Sequence, residues 1–263
     1  MIEPKWNMIN NIHNEDCLQT MKMMPDKFVD MVLTSPPYDD LRSYNGYSFE
    51  FEKIAKELYR VLKDDGVIVW VIGDATHKAS ETGTSFKQAL YFKDIGFNLH
   101  DTMIYEKNSS SFPAKRKGAR YTQIFEYMFV FTKGGITANL ICDKKNKDAG
   151  VIHKKPKDNA HNGYFQVPEY SPRTNIWKYS TSKDHNTKHP AVFPQELARD
   201  HILSWTDKHD LVYDCFMGSG TTAHICVLNE RNYIGSEISE DYCKMARDRV
   251  DNIVIQGGLF DDK

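Results

Sequence analysis

A glycine-rich turn spans residues 214–223, which read Asp214-Cys215-Phe216-Met217-Gly218-Ser219-Gly220-Thr221-Thr222-Ala223. It follows the strand-like run Leu211–Asp214 and opens the helix-like segment Thr221–Asn229. Gly218 and Gly220 allow the backbone to turn tightly and to come close to a ligand, and the helix that follows offers free amide groups at its first turn. A strand, a glycine turn and a helix in this order are typical of the nucleotide-binding corner of an open α/β sheet.

An acidic residue after the next strand supports this interpretation. The segment Tyr233–Ser236 is strand-like, and Glu237 follows it with a carboxylate that can accept hydrogen bonds from both hydroxyls of a ribose. Because Gly-x-Gly-x-x-Ala also fits the dinucleotide fingerprint, the turn alone does not identify its ligand.

The rest of the chain alternates between strand-like and helix-like segments. Such alternation predicts a largely parallel sheet covered by helices on both faces. We expect strands at Met8–His13, Phe28–Leu33, Val67–Ile72, Leu99–Tyr105, Ile124–Phe131, Leu211–Asp214 and Tyr233–Ser236, and helices at Phe49–Leu62, Ser85–Ile95, Pro194–Trp205, Thr221–Asn229 and Glu240–Asn252. Between residues 134 and 188 the periodicity is lost, and the stretch is too long for a plain loop, so we predict a functional insertion with little regular structure.

Composition narrows the class of protein. The 263 residues are 40% hydrophobic and 27% charged, which is typical of a globular protein with one large domain. No apolar run approaches the length of a membrane helix, and the first residues do not resemble a signal peptide, so we expect a cytoplasmic protein without a membrane partner. The five cysteines are scattered and form no Cys-x-x-Cys pair, which argues against disulfides and against a zinc site.

The charge is unevenly distributed. The whole chain has a net charge of −2, but residues 105–160 contain 12 Lys and Arg against 5 Asp and Glu. Such asymmetry is typical of a protein with one face towards a polyanion, although a solvated lysine-rich loop would give the same pattern.

A second motif, Thr34-Ser35-Pro36-Pro37-Tyr38, follows the expected strand Phe28–Leu33. Ligands of open α/β sheets bind beyond the carboxyl ends of strands, so this motif and the glycine turn can share one site. Consecutive prolines stiffen the backbone and leave carbonyl acceptors without matching amide donors. Ser35 and the Pro36 carbonyl can therefore hold the two N–H groups of an exocyclic amine, and Tyr38 can stack on a flipped base. The alternative is an ordinary turn with Tyr38 in the core.

Together, the two motifs resemble those of the DNA methyltransferases that modify the exocyclic N4 of cytosine or N6 of adenine. The catalytic motif precedes the cofactor glycines, which resembles the permuted β group of that family. The resemblance covers most of the chain. It implies S-adenosylmethionine as cofactor, double-stranded DNA as substrate, no metal, and a seven-stranded, mostly parallel Rossmann-like sheet with helices on both faces.

The resemblance also implies roles for individual residues. The catalytic residues would be Ser35, Pro36, Pro37 and Tyr38. Residues matching the cofactor-binding positions are Asp16, Cys17, Thr34, Phe193, Asp214, Phe216, Gly218, Gly220, Thr221, Thr222, Glu237 and Ile238. Asp16 would accept a hydrogen bond from the cofactor's adenine amino group, although Glu15 stands where the family has glycine. Phe193 lies in the segment 189–194, which is similar to one that closes over the cofactor in the family.

The resemblance divides the chain into three parts. Residues 1–133 would form the catalytic half, residues 134–188 the target-recognition insertion, and residues 189–263 the cofactor-binding half. Candidates for phosphate contact are Lys115, Arg116, Lys117 and Arg120. Candidates for contact with base edges are His153, His161, Asn162, Arg173 and His185, each of which is also an ordinary surface residue.

Two features bear on the target base. Methylation at carbon 5 of cytosine requires a nucleophilic cysteine, normally in a Pro-Cys dipeptide, and the sequence contains none. Serine at the position of Ser35 is more typical of N4-cytosine enzymes in the family, whereas Asp or Asn is more typical of N6-adenine enzymes. We therefore favour N4-cytosine over N6-adenine, in restriction-modification or epigenetic marking, with a homodimer and a cognate restriction endonuclease as possible partners.

Three other readings stay open at this point. A nicotinamide-dependent dehydrogenase would use the same glycine turn but would leave Thr34–Tyr38 unexplained. A DNA-binding regulator could keep the fold without catalysis, although the intact motifs speak against it. An amino-methylating enzyme acting on RNA or protein could also use a Pro-Pro-Tyr segment, but the order of the motifs and the basic insertion favour DNA.

Overall fold

The computed structural model describes residues 8–37, 49–78, 80–108, 120–136, 138–154, 163–180 and 194–258. The strands are β1 (Asn11–His13), β2 (Val29–Thr34), β3 (Leu62–Ile72), β4 (Thr76–His77), β5 (Ser80–Glu81), β6 (Asn98–Lys107), β7 (Phe125–Thr132), β8 (Lys144–Lys145), β9 (Ile152–Lys154), β10 (Tyr164–Gln166), β11 (Tyr170–Ser171), β12 (Ile176–Tyr179), β13 (Leu211–Asp214) and β14 (Asn232–Ser236). The helices are α1 (Cys17–Met23), α2 (Phe51–Val61), α3 (Thr84–Asp94), α4 (Gln195–Trp205), α5 (Thr221–Leu228) and α6 (Glu240–Gly258).

One large sheet organises the protein, with the strand order β1-β14-β13-β2-β3-β7-β6-β12. The strands from β1 to β3 are parallel to one another, and β7 runs antiparallel to both of its neighbours. The expected α/β fold with a mostly parallel sheet is confirmed. The sheet has eight strands, one more than expected, because β12 joins its edge in parallel to β6.

Helices cover both faces of this sheet. Residues of α4, α5 and α6 form one core with the strands, and residues of α1, α2 and α3 form a second core on the opposite face. Strand β3 serves both cores, since Val67, Val69 and Val71 point into the first and Ile68, Trp70 and Ile72 into the second. This alternation explains why residues 67–72 of this central strand, which are buried on both faces, are all apolar.

The insertion contains more regular structure than the sequence predicts. Strands β8 and β11 form one antiparallel pair, and β9 and β10 form another. Each of these strands is only two or three residues long, which is too short to produce a recognisable hydrophobic period. Within the described ranges, no helix is long and apolar enough to cross a bilayer.

Candidate functional site

The two sequence motifs meet at the carboxyl edge of the sheet. Strands β2 and β13 are parallel neighbours, paired through Met31 with Val212 and through Val32 with Tyr213. At their carboxyl ends, Thr34 Oγ1 donates a hydrogen bond of 2.7 Å to Asp214 Oδ1. The segment that begins at Thr34 and the glycine turn therefore lie side by side, as a shared site requires.

The buried side chain of Asp214 holds the glycine turn through hydrogen bonds. Its second carboxylate oxygen accepts a 2.6 Å hydrogen bond from Thr222 Oγ1 in the first turn of α5, and Oδ1 also accepts one of 3.1 Å from the Phe216 amide. Burial raises the pKa of this carboxyl to about 6, against the opposing effect of the hydrogen bonds from Thr222 and Thr34. The side chain thus joins β2, the turn and α5 at one point.

The glycines of the turn adopt a conformation that favours glycine. Gly218 has φ +54° and Gly220 has φ +81°, both in the left-handed region. A Cβ atom at Gly220 would lie 2.7 Å from the Cβ of Ala246 in α6. The absence of a side chain at Gly220 is therefore required for packing against α6, and close approach to a ligand there stays a prediction.

Glu237 follows β14 and faces the glycine turn. Its Oε2 accepts a hydrogen bond of 2.9 Å from the Gly218 amide, and its Oε1 accepts one of 2.8 Å from the Ser239 amide. Burial raises the pKa of this carboxyl. The Ile238 amide also interacts with this carboxylate. Because a carboxylate has about four acceptor positions, Glu237 retains acceptor capacity for a ribose.

The loop after β1 lies beside this acid. Asn14 Nδ2 donates to the carbonyl oxygens of Glu237 at 2.9 Å and of Ile238 at 3.2 Å. Asp16 caps α1, since its Oδ1 accepts from the Leu18 amide at 2.7 Å. Cys17 is buried, which raises the pKa of its thiol to about 12, so the thiol stays protonated and serves packing. The structure thus brings Asp16, Cys17, Glu237 and Ile238 to the edge where the glycine turn lies.

Sequence reasoning missed two polar residues in this region. Asn14 links the β1 loop to the acidic loop, but a loop asparagine carries no distinctive signal in a sequence. His13, the last residue of β1, has a buried Nε2 atom for which the described part of the chain offers no hydrogen-bond partner. His13 pairs with Ser236, the residue that precedes Glu237.

The segment Thr34–Tyr38, predicted to be catalytic, is described from Thr34 to Pro37. Thr34 and Pro36 are buried, and Ser35 and Pro37 are half-buried. Phe216 supports the same edge, with its ring 5.7 Å from that of Phe49 and 6.3 Å from that of Trp70. The predicted residues Tyr38 and Phe193 lie outside the described residues. Thr221 and Thr222 are buried at the start of α5.

The predicted DNA contacts are described only in part. Arg120 is exposed and forms an ion pair of 3.1 Å with Glu81, whereas Lys115, Arg116 and Lys117 lie outside the described residues, as do His161, Asn162 and His185. His153 is exposed and stacks on Phe165 at 5.7 Å. These positions stay predictions.

Arg173 has a different role from the one expected. Its guanidinium donates to Asp143 Oδ2 at 2.8 Å and to Asp200 Oδ2 at 2.7 Å, and it lies 5.2 Å from the centre of the Trp177 ring. Because its donors are engaged by two carboxylates, Arg173 holds the insertion against α4 instead of presenting itself to a base. Asp200 in α4 was missed, since a buried acid on a helix looks like a surface residue in the sequence.

A metal site receives no support from the described side chains. No group of three or more His, Cys, Asp or Glu residues among them is arranged to hold a metal ion.

Comparisons with known proteins agree with this geometry. A family model described as DNA methylase, covering the N6 and N4 enzymes, matches residues 29–248. The orphan methyltransferase M.BamHII of Bacillus amyloliquefaciens is 54% identical over 245 residues, which cover 88% of this chain and 91% of the relative.

Solved structures show the same fold. The PvuII DNA methyltransferase (cytosine-N4-specific) is 22% identical, with a TM-score of 0.71 over 90% of this chain and 85% of that one. The M1.HpyAVI–SAM complex is 26% identical, with a TM-score of 0.60 over 91% of this chain and 98% of that one. The matched range includes the catalytic segment, the glycine turn and Glu237, and the protein therefore belongs to the N6/N4 family of DNA methyltransferases.

Proposed function

We propose that this protein transfers a methyl group from S-adenosylmethionine to the exocyclic N4 of a flipped cytosine at specific sites in duplex DNA. The observation that carries the proposal is the hydrogen bond between Thr34 and Asp214, because it places the segment Ser35–Pro37 beside the glycine turn. A base amine held by Ser35–Pro37 and a methyl donor held at the glycine turn would therefore lie next to each other.

The residues around the turn suit this cofactor. Glu237 retains acceptor positions for the ribose hydroxyls, and the Asp16 loop is tied beside it through Asn14. Thr34, Asp214, Phe216, Gly218, Gly220, Thr221 and Thr222 would form the wall that holds the rest of the cofactor, with Phe193 closing over it. S-adenosylmethionine supplies an electrophilic methyl group on a sulfonium, so no metal is needed.

The catalytic segment would position the amine. Its lone pair is delocalised into the ring of the base, so the nitrogen is a poor nucleophile until its geometry changes. Hydrogen bonds from the two N–H groups to Ser35 Oγ and to the Pro36 carbonyl would hold the nitrogen and favour a pyramidal form. Tyr38 would stack on the base, Pro37 would stiffen the segment, and the released proton would pass to solvent. Alignment of this kind is worth about 7–11 kcal/mol.

Ser35 also supports cytosine as the target. A serine at this position is more typical of N4-cytosine enzymes, and its hydroxyl can accept from the amine while it donates to a ring nitrogen. N6-adenine is the alternative, since adenine presents the same kind of amine. A regulator that binds DNA without catalysis is the alternative from another class, and the joined motifs speak against it.

We propose duplex DNA as the substrate, with Lys115, Arg116, Lys117 and Arg120 on its phosphates, and a role in restriction-modification or in epigenetic marking. The halves 1–133 and 189–263 would build the active site, and the insertion 134–188 would recognise the target. A second copy of the chain and a cognate restriction endonuclease are the candidate protein partners.

One experiment tests the proposal. Genomic DNA is incubated with the protein and isotopically labelled S-adenosylmethionine, and the modified nucleosides are identified by mass spectrometry. Labelled N4-methylcytosine supports the proposal, and labelled N6-methyladenine supports the alternative base. Labelled 5-methylcytosine would contradict both. Tight DNA binding without any labelled product would indicate the regulator.

A further inference from the structure

Residues 141–154 and 163–173 form an exposed two-stranded feature, which we call the arm. The pair β8–β11 lies nearer its base, and the pair β9–β10 lies farther out along the chain. Hydrogen bonds of 2.9 Å connect the two pairs, from Gly150 N to the Val167 carbonyl and from Asn146 N to the Glu169 carbonyl. The two pairs therefore belong to one ribbon, which the turn at residues 147–150 interrupts on one strand.

The base of the arm is fixed to the body of the protein. Arg173 N donates to the Ile141 carbonyl at 2.8 Å and closes the ribbon. The Arg173 side chain then reaches Asp200, which is only 3% exposed in α4, and Tyr179 Oη donates to the same carboxylate at 2.8 Å. We call these contacts of Arg173 and Tyr179 with Asp200 the clamp. Because a buried charge must keep its partners, the clamp sets the direction in which the arm leaves the sheet.

The outer part of the arm has two different faces. Paired residues of an antiparallel ribbon point to the same side, so Lys154 shares a face with Tyr164, and Gln166 shares that face with Ile152. Tyr164 is 71% exposed and Ile152 is 65% exposed. On the opposite face His153 and Phe165 cover each other. The first face thus presents a cation, a phenol, an amide and an apolar side chain to solvent.

The charge of the arm suits a polyanion. Four exposed lysines lie along it, namely Lys144, Lys145, Lys147 and Lys154. Its acidic residues are Asp143, Asp148 and Glu169, and Asp143 is already paired with Arg173. Lysines along a ribbon can follow a phosphate backbone while the face between them meets the bases.

We propose that the arm enters the major groove of the target duplex and that Lys154, Tyr164 and Gln166 contact base edges there. This inference rests on the proposed function, since it assumes duplex DNA as substrate. The major groove, about 12 Å wide, admits a two-stranded ribbon. Gln166 Nε2 donates to the Gly150 carbonyl at 3.1 Å, which leaves its second N–H and its Oε1 for an adenine. Lysine can bind guanine, and an apolar side chain such as Ile152 can lie against a thymine methyl group. Lys144, Lys145 and Lys147 bind the flanking phosphates.

The first test measures sequence discrimination. The wild-type sites are read by sequencing the modified DNA, and kcat/KM is then measured on a duplex with the correct site and on duplexes with single base-pair changes. Gln166→Ala and Lys154→Ala are each expected to reduce discrimination at one base pair by about 5- to 150-fold, the range for one base contact. Lys244→Ala removes an exposed charge from α6 and is expected to leave discrimination unchanged.

The second test locates the contact and does not depend on methyl transfer. Duplexes with 5-bromouracil carry bromine in the major groove, and photo-crosslinked peptides are identified by mass spectrometry. We expect crosslinks at residues 152–154 or 164–166. Crosslinks confined to other segments, or arm variants with wild-type discrimination and unchanged affinity for S-adenosylmethionine, would overturn the assignment.

The outcomes separate this inference from the proposed function. Crosslinking at the arm without any methylated product would contradict the proposed function and leave the arm as a DNA contact. Methylation with undiminished discrimination in both arm variants would contradict the role of the arm alone. If Tyr164→Ala abolishes a dimer in sedimentation experiments while discrimination is retained, the arm joins two copies of the chain and the proposal is wrong.

Discussion

Thr34 at the end of β2 donates a 2.7 Å hydrogen bond to Asp214 at the end of β13, and both side chains are buried. These residues are 180 positions apart in the chain, and each begins one of the two motifs. The bond therefore connects the part of the site that would hold the base to the part that would hold the cofactor. Because Asp214 also binds Thr222 and the Phe216 amide, a change at Thr34 reaches the glycine turn directly.

Thr34→Val tests this connection. The substitution keeps the shape of the side chain but removes the hydrogen bond to a buried carboxylate, which we expect to cost about 1–3 kcal/mol of stability. Affinity for S-adenosylmethionine, measured by calorimetry, should fall with it. Thr206→Val is the control, since Thr206 is equally buried and donates at 2.6 Å to the Ile202 carbonyl, away from the carboxyl edge. Equal losses of cofactor affinity in both variants would contradict a specific role of Thr34.

We expect the stability of the folded protein to depend on pH through the titration of Asp214. Burial raises the pKa of its carboxyl from 3.8 to about 6 in the folded protein, so the folded state binds more protons than the unfolded state between these values. The contribution of this group to stability is therefore greatest below pH 4 and falls by up to about 3 kcal/mol as the pH rises through 6.

Asp214→Asn removes that titration. Urea unfolding of the variant from pH 4 to pH 7 should lack the decrease that Asp214 gives the wild type, although other carboxyl groups still contribute to both curves. Parallel curves for the two proteins across this range would show that Asp214 does not titrate there.

Gly220→Ala separates backbone strain from steric overlap. The new methyl group would lie 2.7 Å from the Cβ of Ala246, and φ is +81°. We expect a loss of about 3 kcal/mol or more from overpacking and strain together. Gly83→Ala is the control for strain alone, because φ there is +65° and nothing lies within 4 Å of the added atom, and it should cost about 1 kcal/mol.

Ala246→Gly should rescue Gly220→Ala in part. The double variant removes the contact with the Ala246 Cβ but keeps one of 2.8 Å with the backbone Cα of residue 246. The rescue is therefore incomplete, and in a double-mutant cycle the two changes should couple favourably by about 1 kcal/mol. Additive effects in chemical unfolding would show that the Ala246 side chain does not limit the turn.

Much of this arrangement could be predicted from the sequence. The alternation of strand-like and helix-like segments and the glycine turn indicated a covered, mostly parallel sheet, and the two motifs indicated one shared edge. Strand β12 could not be predicted, because its four residues gain their strand character from pairing with β6 and not from a local pattern.

The clamp at the base of the arm could not be predicted from the sequence either. Arg173 and Asp200 are 27 positions apart, and the acid is buried only because the insertion folds onto α4. In the sequence, Arg173 resembled a surface residue available for DNA. Partners that are distant in the chain and polar in character leave no periodic signal, which is why Asn14 was missed as well.

Glu237→Gln tests the cofactor side of the site. The amide keeps the length of the side chain but loses the charge and one acceptor oxygen, so it can no longer accept from both the Gly218 and Ser239 amides and bind a ribose as well. Since a hydrogen bond to a charged group is worth about 1.5–3 kcal/mol, we expect the Kd for S-adenosylmethionine in calorimetry to rise by about 10- to 150-fold. Glu230→Gln is the matched control, because Glu230 is exposed and pairs with Lys208 at 2.7 Å away from the turn. An unchanged Kd in Glu237→Gln, in a variant that unfolds like the wild type, would contradict a role of Glu237 in binding the cofactor. The neighbouring residues Asn14 and His13 would then be the remaining candidates for that role.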